Sequence, residues 1–187
     1  IPLDQKPKLS DDEMKTYARK MTEFAEWCTN KGMPISYHHH MAAVIETEKE
    51  LDSFMNHSGE ALQLLYDTGH MAFAGGDVLR VIDKHHKRIS HVHTKDIRQK
   101  VLDKLDRNKE SFLDSVIKGV FTVPGDGNLN FQSIVTRLAS CGYEGWFVVE
   151  AEQDPAISPP LQMAQLGHRE LIKIIGASGY EIEKLTL

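Results

Sequence analysis

Histidine and acidic side chains follow four short apolar runs of this chain. In chain order, the runs lead into His38-His39-His40, Asp67-Thr68-Gly69-His70, His91-Val92-His93-Thr94-Lys95-Asp96 and Glu150-Ala151-Glu152. Imidazole nitrogens and carboxylate oxygens together suit Mn²⁺, Co²⁺, Fe²⁺ or Zn²⁺ better than an all-oxygen Ca²⁺ site does. If the four groups meet in space, the sequence predicts a divalent-metal site.

The apolar runs predict four β-strands, at residues 34–40, 62–67, 88–94 and 145–151. A helical pattern follows each strand, so we expect the strands to be parallel. In folds built from such units, the functional site lies at the carboxyl ends of the strands. The four groups are therefore expected to converge at one end of a single sheet.

Alternation along a strand predicts which side chains share a face. The residues that share one are His38 with His40, His91 with His93 and Lys95, and Glu150 with Glu152. These faces together predict a cluster of imidazoles and carboxylates that includes one lysine.

Each of these residues also has an ordinary structural explanation. The histidines at 38–40 would equally suit a surface triplet at a strand end. Asp67 precedes Thr-Gly and would equally cap a turn. Glu150 is harder to explain in this way, because it follows a buried strand, where a charge needs a partner. The prediction of a metal site therefore depends on the presence of metal-ligating residue types at all four strand ends.

The composition favours a globular protein of a reducing compartment. Of the 187 residues, 41% are hydrophobic and 26% charged, which is typical of globular domains. The net charge of −5 disfavours nucleic acid and anionic membranes as partners, because both attract basic patches. No apolar run approaches the roughly 20 residues of a membrane span. With only two cysteines, Cys28 and Cys141, we expect a cytoplasmic protein without a disulfide.

Capping residues and periodicity predict the helices. Ser10 with Glu13 and Thr47 with Glu50 have the spacing of capping boxes. Helices are expected from the Ser10 cap to Asn30-Lys31-Gly32, from Thr47 to about Asn56 or His57, from Asp77 to near His85-His86, over about 131–140 and over roughly 159–175. An inserted helical excursion is expected at 97–119, with a short strand at 119–123 and a turn at 124–127.

One helix followed by four strand–helix units predicts half of a (β/α)8 TIM barrel. A doubly wound sheet of four units is the alternative. The chain starts at Ile1 with no signal-peptide pattern, so we expect it to begin inside a longer protein. Half a barrel leaves two open sheet edges. We therefore expect a homo-oligomer, or pairing with a missing half.

Five segments make the chain resemble the xylose isomerase-like TIM-barrel superfamily of isomerases, epimerases and endonuclease IV-type enzymes. They are residues 37–41 (YHHHM), 65–77 (LYDTGHMAFAGGD), 91–96 (HVHTKD), 123–127 (VPGDG) and 149–155 (VEAEQDP). Within it, the segments are similar to the inosose dehydratases of myo-inositol catabolism. The resemblance implies that residues 1–187 are a single domain, the C-terminal half (strands 5–8) of such a barrel.

The resemblance also implies a ligand set. In the superfamily, Glu, Asp, His and Glu from successive strand ends hold the metal, and Asp67, His93 and Glu150 match the last three. His38 stands where the isomerases have Glu, which argues against the two-glutamate proton shuttle of an epimerase. We expect Mn²⁺ or Co²⁺, with Zn²⁺ and Fe²⁺ as alternatives.

The implied activity is a metal-dependent hydro-lyase acting on a small polyol ketone. It would remove water from 2-keto-myo-inositol (scyllo-inosose) to give a trihydroxycyclohexane-dione, provided that the rest of the barrel is present. The expected acid–base residues are Glu152, Lys95, His70 and His91. Lys95 would act either as a base with a lowered pKa or as a charged group that binds a hydroxyl.

Three alternatives remain open. A metal-dependent sugar isomerase or epimerase on the same fold is the first. A half-barrel that binds metal or self-assembles without turnover is the second. A DNA-repair endonuclease is disfavoured by the acidic composition and by too few ligands for a multi-metal site.

Overall fold

A computed structural model describes residues 1–182 of the chain, which form eight α-helices and six strands. The helices are α1 (Asp11–Asn30), α2 (Glu48–His57), α3 (Thr68–Phe73), α4 (Val78–His85), α5 (Gln99–Leu102), α6 (Phe112–Ile117), α7 (Phe131–Ser140) and α8 (Pro160–Ala177). The strands are β1 (Ser36–His38), β2 (Gln63–Asp67), β3 (Ile89–His93), β4 (Asp96–Ile97), β5 (Phe121–Thr122) and β6 (Trp146–Val148).

Four strands form one parallel sheet in the order β1-β2-β3-β6. The prediction of parallel strands is confirmed. Asp67 at the end of β2 pairs with His93 at the end of β3, which in turn pairs with Val148 of β6. The carboxyl ends of these neighbours are therefore level, and the residues that follow them meet at one end of the sheet.

The two faces of the sheet differ in polarity. Leu64, Tyr66 and Val92 are fully buried in a cluster that includes side chains of α1, α2, α4 and α7. Because side chains alternate along a strand, Asp67 and His93 project from the opposite face. The helices thus cover the apolar face of the sheet, and Asp67 and His93 lie on its opposite face.

The predicted helix starts are confirmed at their caps. Ser10 Oγ accepts the backbone N–H of Glu13, whose side chain accepts the N–H of Ser10, and the pair at Thr47 does the same. Asp77 accepts two backbone N–H groups at the start of α4. Each cap satisfies donors that the first turn of a helix leaves free.

The strands are shorter than predicted. Ladder pairing covers only Ser36–His38 of the predicted 34–40 and Trp146–Val148 of the predicted 145–151. In the described residues, β1 and β6 each pair on one side only, so their ends have no second neighbour to extend the ladder. Residues 149–152 accordingly leave the sheet as a loop.

The excursion after β3 folds over the carboxyl end of the sheet. It contains the short helices α5 and α6, as predicted, and β5 lies within the short strand predicted at 119–123. β4 and its antiparallel pairing with β5 were not predicted. Ile97 and Phe121 of this pair lie in a second apolar cluster with Leu3, Met41 and Phe73. That cluster seals the site from one side.

Within residues 1–182, no helix is both long and apolar enough to cross a membrane. That residues 1–187 form a single domain stays a prediction.

Candidate metal centre and active site

Asp67 uses its two carboxylate oxygens for different tasks. Its Oδ1 accepts the backbone N–H of His70 at 2.9 Å and caps α3. Its Oδ2 lies 3.4 Å from Nε2 of His38 and 3.5 Å from Nδ1 of His93. The capping role and the ligand role predicted as alternatives are therefore compatible, because each needs only one oxygen.

Asp67 is fully buried but ionised. Burial raises the pKa of this carboxyl, while contacts with His38 and His93 and the charge of Lys95 lower it more. The resulting pKa lies well below its usual value, so the side chain offers a negative charge inside the fold.

Asp67, His93 and Glu150 form a three-residue group that fits a metal ion. One ligand atom from each lies within 4.8 Å of the others. Nδ1 of His93 and Oε2 of Glu150 are buried and make no hydrogen bond in the described structure. Buried polar atoms without partners are rare, and a bound cation would satisfy both. His38 borders the group through its contact with Asp67.

Lys95 places a fully buried ammonium group among the carboxylates. Its Nζ lies 2.6 Å from Glu152 Oε2, 2.8 Å from Glu150 Oε2 and 3.4 Å from Asp67 Oδ2. The contact with Glu150 lacks hydrogen-bond geometry, whereas Nζ donates to Glu152. Burial lowers the pKa of Lys95, but the three carboxylates raise it more, above its usual value. This favours the charged alternative over the base.

His70 lies inside the cluster as a neutral ring. Burial lowers its pKa to about 2. Nζ of Lys95 donates to Nε2 of His70 at 2.8 Å, so the ring proton is on Nδ1. The neutral ring therefore orients the ammonium group.

His40 and Glu152 form the more open part of the cluster. Nε2 of His40 lies 3.5 Å from Oε1 of Glu152, and the two side chains are 31% and 27% exposed. Burial raises the pKa of Glu152, but contacts with His40 and Lys95 lower it more, to about 2. Together with His70, these residues make a second group whose geometry could hold a metal.

The stem of Lys95 is held by its surroundings. A Cβ at Gly69 would lie only 2.5 Å from Lys95 Cγ, so a side chain at this position of α3 would displace the lysine. The hydroxyl of Thr68 donates to the Lys95 carbonyl at 2.7 Å. The ring of Phe121 lies 5.3 Å from Nζ, and Phe112 packs on His40 with ring centroids 5.0 Å apart.

The structure brings together seven of the eight predicted site residues. They are His38, Asp67, His70, His93, Lys95, Glu150 and Glu152. The eighth, His91, lies beside His93 with ring centroids 5.6 Å apart and makes no ion pair in the described part of the chain. It precedes His93 by two residues and therefore lies farther from the strand end. The assignment of chemical roles stays a prediction.

His39 was missed, and His40 was predicted to lie in the imidazole cluster but was not given a role in the site. His40 shares a face with His38, and that alternation was a sufficient signal for it. Nε2 of the fully buried His39 accepts the backbone N–H of Asp67 at 3.2 Å. Burial lowers the pKa of His39 to about 3, which keeps Nε2 free to accept. No pattern in the sequence distinguishes this role from a surface histidine.

The family follows from the match of residues 2–174 to the model of the xylose isomerase-like TIM barrel. The chain belongs to this family, and its parallel sheet with helices on one face is the corresponding α/β fold.

Particular relatives are similar over most of this chain. The rhizopine catabolism protein MocC of Rhizobium meliloti is 45% identical over 97% of the chain and 56% of its own length. The inosose dehydratase of Geobacillus thermodenitrificans is 47% identical over 86% of the chain and 54% of its own length. That of Clostridium perfringens is 46% identical over the same shares. The chain thus spans about half the length of these relatives.

Solved structures support the same fold. A crystal structure of the IolI protein with a bound zinc atom superposes with a TM-score of 0.69 at 15% identity, covering 95% of this chain and 61% of that one. An L-ribulose 3-epimerase gives 0.68 at 16% identity, covering 95% and 58%.

Proposed function

We propose that this chain forms the metal-binding part of a dehydratase that removes water from 2-keto-myo-inositol. The observation that carries the proposal is the group of Asp67, His93 and Glu150, two of which present buried atoms that make no hydrogen bond in the described structure. The choice of substrate rests on two relatives that are inosose dehydratases and are 46–47% identical to this chain. The product of the reaction would be a trihydroxycyclohexane-dione, and the enzyme would be a hydro-lyase.

Asp67, His93 and Glu150 would hold the metal, with His38 as a fourth ligand on the side of Asp67. When bound, a divalent cation supplies Lewis acidity toward the substrate ketone oxygen. Mixed nitrogen and oxygen donors fit Mn²⁺ or Co²⁺, with Zn²⁺ and Fe²⁺ as the alternatives.

Side chains of the protein would carry out the remaining steps of the reaction. Lys95 stays charged and stabilises negative charge on a substrate oxygen, and His70 orients it. Glu152 uses Oε2 for Lys95, which leaves Oε1 to accept the proton from the carbon next to the ketone. As the new double bond forms, the carbon–oxygen bond of the β-hydroxyl breaks. Burial lowers the pKa of His40, but Glu152 raises it more, above its usual value, and in its protonated form His40 gives a proton to this hydroxide, which departs as water. The enol that remains becomes the dione by moving its hydroxyl proton to carbon.

Metal content and turnover of the full chain test the proposal. We expect about one transition-metal ion per chain by elemental analysis, with loss of metal and of dione formation in Asp67→Asn and Glu150→Gln. The amide oxygen of Asp67→Asn can still cap α3, so loss of metal in this variant is not loss of the helix start. Glu26→Gln is the matched control, because Glu26 is exposed on α1.

Full metal content and full turnover in both variants would remove Asp67 and Glu150 from the site. Mass spectrometry separates the chemistries: a dehydratase product lacks the mass of one water, whereas an isomerase or epimerase product keeps the substrate mass. Bound metal without conversion would favour a non-catalytic half-barrel.

A further inference from the structure

The ammonium group of Lys95 lies where a second metal ion would lie. His40, His70 and Glu152 form a group that could hold a metal, next to the group of Asp67, His93 and Glu150. A third group of the described residues, His38, Asp67 and His70, shares one residue with each of these two. Nζ of Lys95 contacts carboxylates of both groups, Glu150 Oε2 at 2.8 Å and Glu152 Oε2 at 2.6 Å. One side-chain cation therefore stands between two potential metal positions.

We propose that Lys95 occupies the second cation position and keeps the centre mononuclear. The inference rests on the proposed function, because it assumes a metal at Asp67, His93 and Glu150. It adds that the same cluster becomes a two-metal centre when the lysine charge is removed.

Lys95 engages the very atoms that a second metal would need. His70 Nε2 and Glu152 Oε2 lie 3.4 Å apart, and Nζ donates to both, at 2.8 Å and 2.6 Å. A metal would require the same lone pairs at about 2.0–2.2 Å. An ion and the ammonium group cannot share this position.

The charges of the cluster balance with one metal. Asp67, Glu150 and Glu152 supply three negative charges, and Lys95 supplies one positive charge. One divalent cation brings the sum of these four side-chain charges to zero. A second would leave excess positive charge in a buried site, which is costly. Without Lys95, one divalent cation leaves a negative charge that attracts another.

Packing restricts the directions in which the lysine side chain can turn. Its side chain is fully buried, its stem packs against the Cα of Gly69, and the ring of Phe121 closes the space near Nζ. Exclusion of the second ion is thus built into the packing and does not depend on a mobile surface side chain.

Manganese titration of the full chain tests this inference. Wild type should bind about one Mn²⁺ per chain up to millimolar metal, and Lys95→Met about two. Exchange coupling between two Mn²⁺ ions in Lys95→Met should be visible by electron paramagnetic resonance. The double variant Lys95→Met/His40→Phe should return to one ion. Lys6→Met is the matched control, because Lys6 is a buried lysine paired with Glu50 at 2.8 Å outside this cluster, and it should stay at one.

The contrary results are distinct. One uncoupled ion in Lys95→Met, or a second ion in wild type, would overturn the inference and leave the proposed function standing. No metal in wild type or in Lys95→Met would overturn the proposed function as well. If Lys95→Met does not fold, the wild-type titration still decides, since a second ion there contradicts exclusion and a strict limit of one supports it.

Discussion

At Gly69, the absence of a side chain makes room for the buried Lys95. It lies in the first turn of α3, and a methyl group there would meet three carbons of the Lys95 stem at 2.5–2.9 Å. Contacts this short force one side chain to move. Since Lys95 is held by ion pairs and packing, the conflict must be resolved by strain or by loss of those contacts.

We expect Gly69→Ala to destabilise the fold by about 1–3 kcal/mol, as overpacking of a core does. Urea unfolding measures the change. Gly176→Ala is the matched control, because Gly176 lies within α8 with no atom near its added methyl group, and alanine favours helix by up to about 1 kcal/mol. Equal stability of Gly69→Ala and wild type would show that the lysine stem can shift at little cost.

Residue patterns predicted which side chains face the candidate site but not how close each lies to the end of its strand. Strand alternation correctly placed His93 and Lys95 toward the carboxylates, because it fixes the face of a side chain. Alternation does not fix how far a residue lies from the end of its strand. For this reason His91 was included, although it lies two residues before His93 and outside the ion-pair cluster. His39 escaped prediction because its role is to accept a backbone N–H from a neighbouring strand, a contact that only the fold creates.

Among the elements, β4 links the sheet to the loop at 127–129. Oδ1 of Asp96 accepts the backbone N–H groups of Ile97, Asn128 and Leu129 at 2.8–3.0 Å. Burial raises the pKa of this carboxyl to about 6, although the backbone hydrogen bonds oppose the shift. Asp67 differs because it has charged and imidazole partners.

The raised pKa of Asp96 predicts a pH-dependent stability. As pH rises from about 4 to about 6, the unfolded carboxyl loses its proton before the folded one, so the unfolded state binds fewer protons and stability falls. Relative to Asp96→Asn, wild type should lose about 1–3 kcal/mol of unfolding free energy between about pH 4 and about pH 7.

Urea unfolding at several pH values measures this difference. The amide side chain of Asp96→Asn keeps an oxygen for the three N–H groups but does not titrate. The exposed Asp103→Asn serves as control and should run parallel to wild type. If wild type and Asp96→Asn also run parallel, the backbone hydrogen bonds outweigh burial.

Helices were predicted more accurately than strands, for a local reason. The starts of α1, α2 and α4 depend on a capping side chain and the two or three residues after it, and α7 has the predicted bounds. The helix α3 was missed because its six residues are too few to show a period. The pair β4–β5, two residues per strand, is likewise too short, and it joins residues more than twenty positions apart.

At the scale of the whole molecule, the sheet has an outer edge at β1 and another at β6. In the described residues each of these strands pairs with one neighbour only, so backbone groups of Ser36–His38 and Trp146–Val148 face outward. Trp146 on the second edge is 61% exposed. Unpaired edges with exposed apolar side chains favour association with another strand.

We therefore expect the purified chain to associate, with a mass by light scattering of at least twice its 21.1 kDa. Trp146→Lys should reduce that mass, because charge on an edge strand opposes pairing. Trp27→Lys is the matched control, since Trp27 is 58% exposed on α1, which is not part of the sheet. A wild-type monomer of 21.1 kDa would show that the edges are tolerated in water.

The metal role proposed for Asp67, added to its cap of α3, would restrict how this protein can change by mutation. Asparagine would keep the cap of α3 and lose the charge, while glutamate would keep the charge on a longer stem that is not favoured at a helix start. Aspartate alone among the common amino acids satisfies both demands here. Under this proposal, a change toward a different metal would cost least at the partly exposed His38 or Glu150, whose side chains cap no helix.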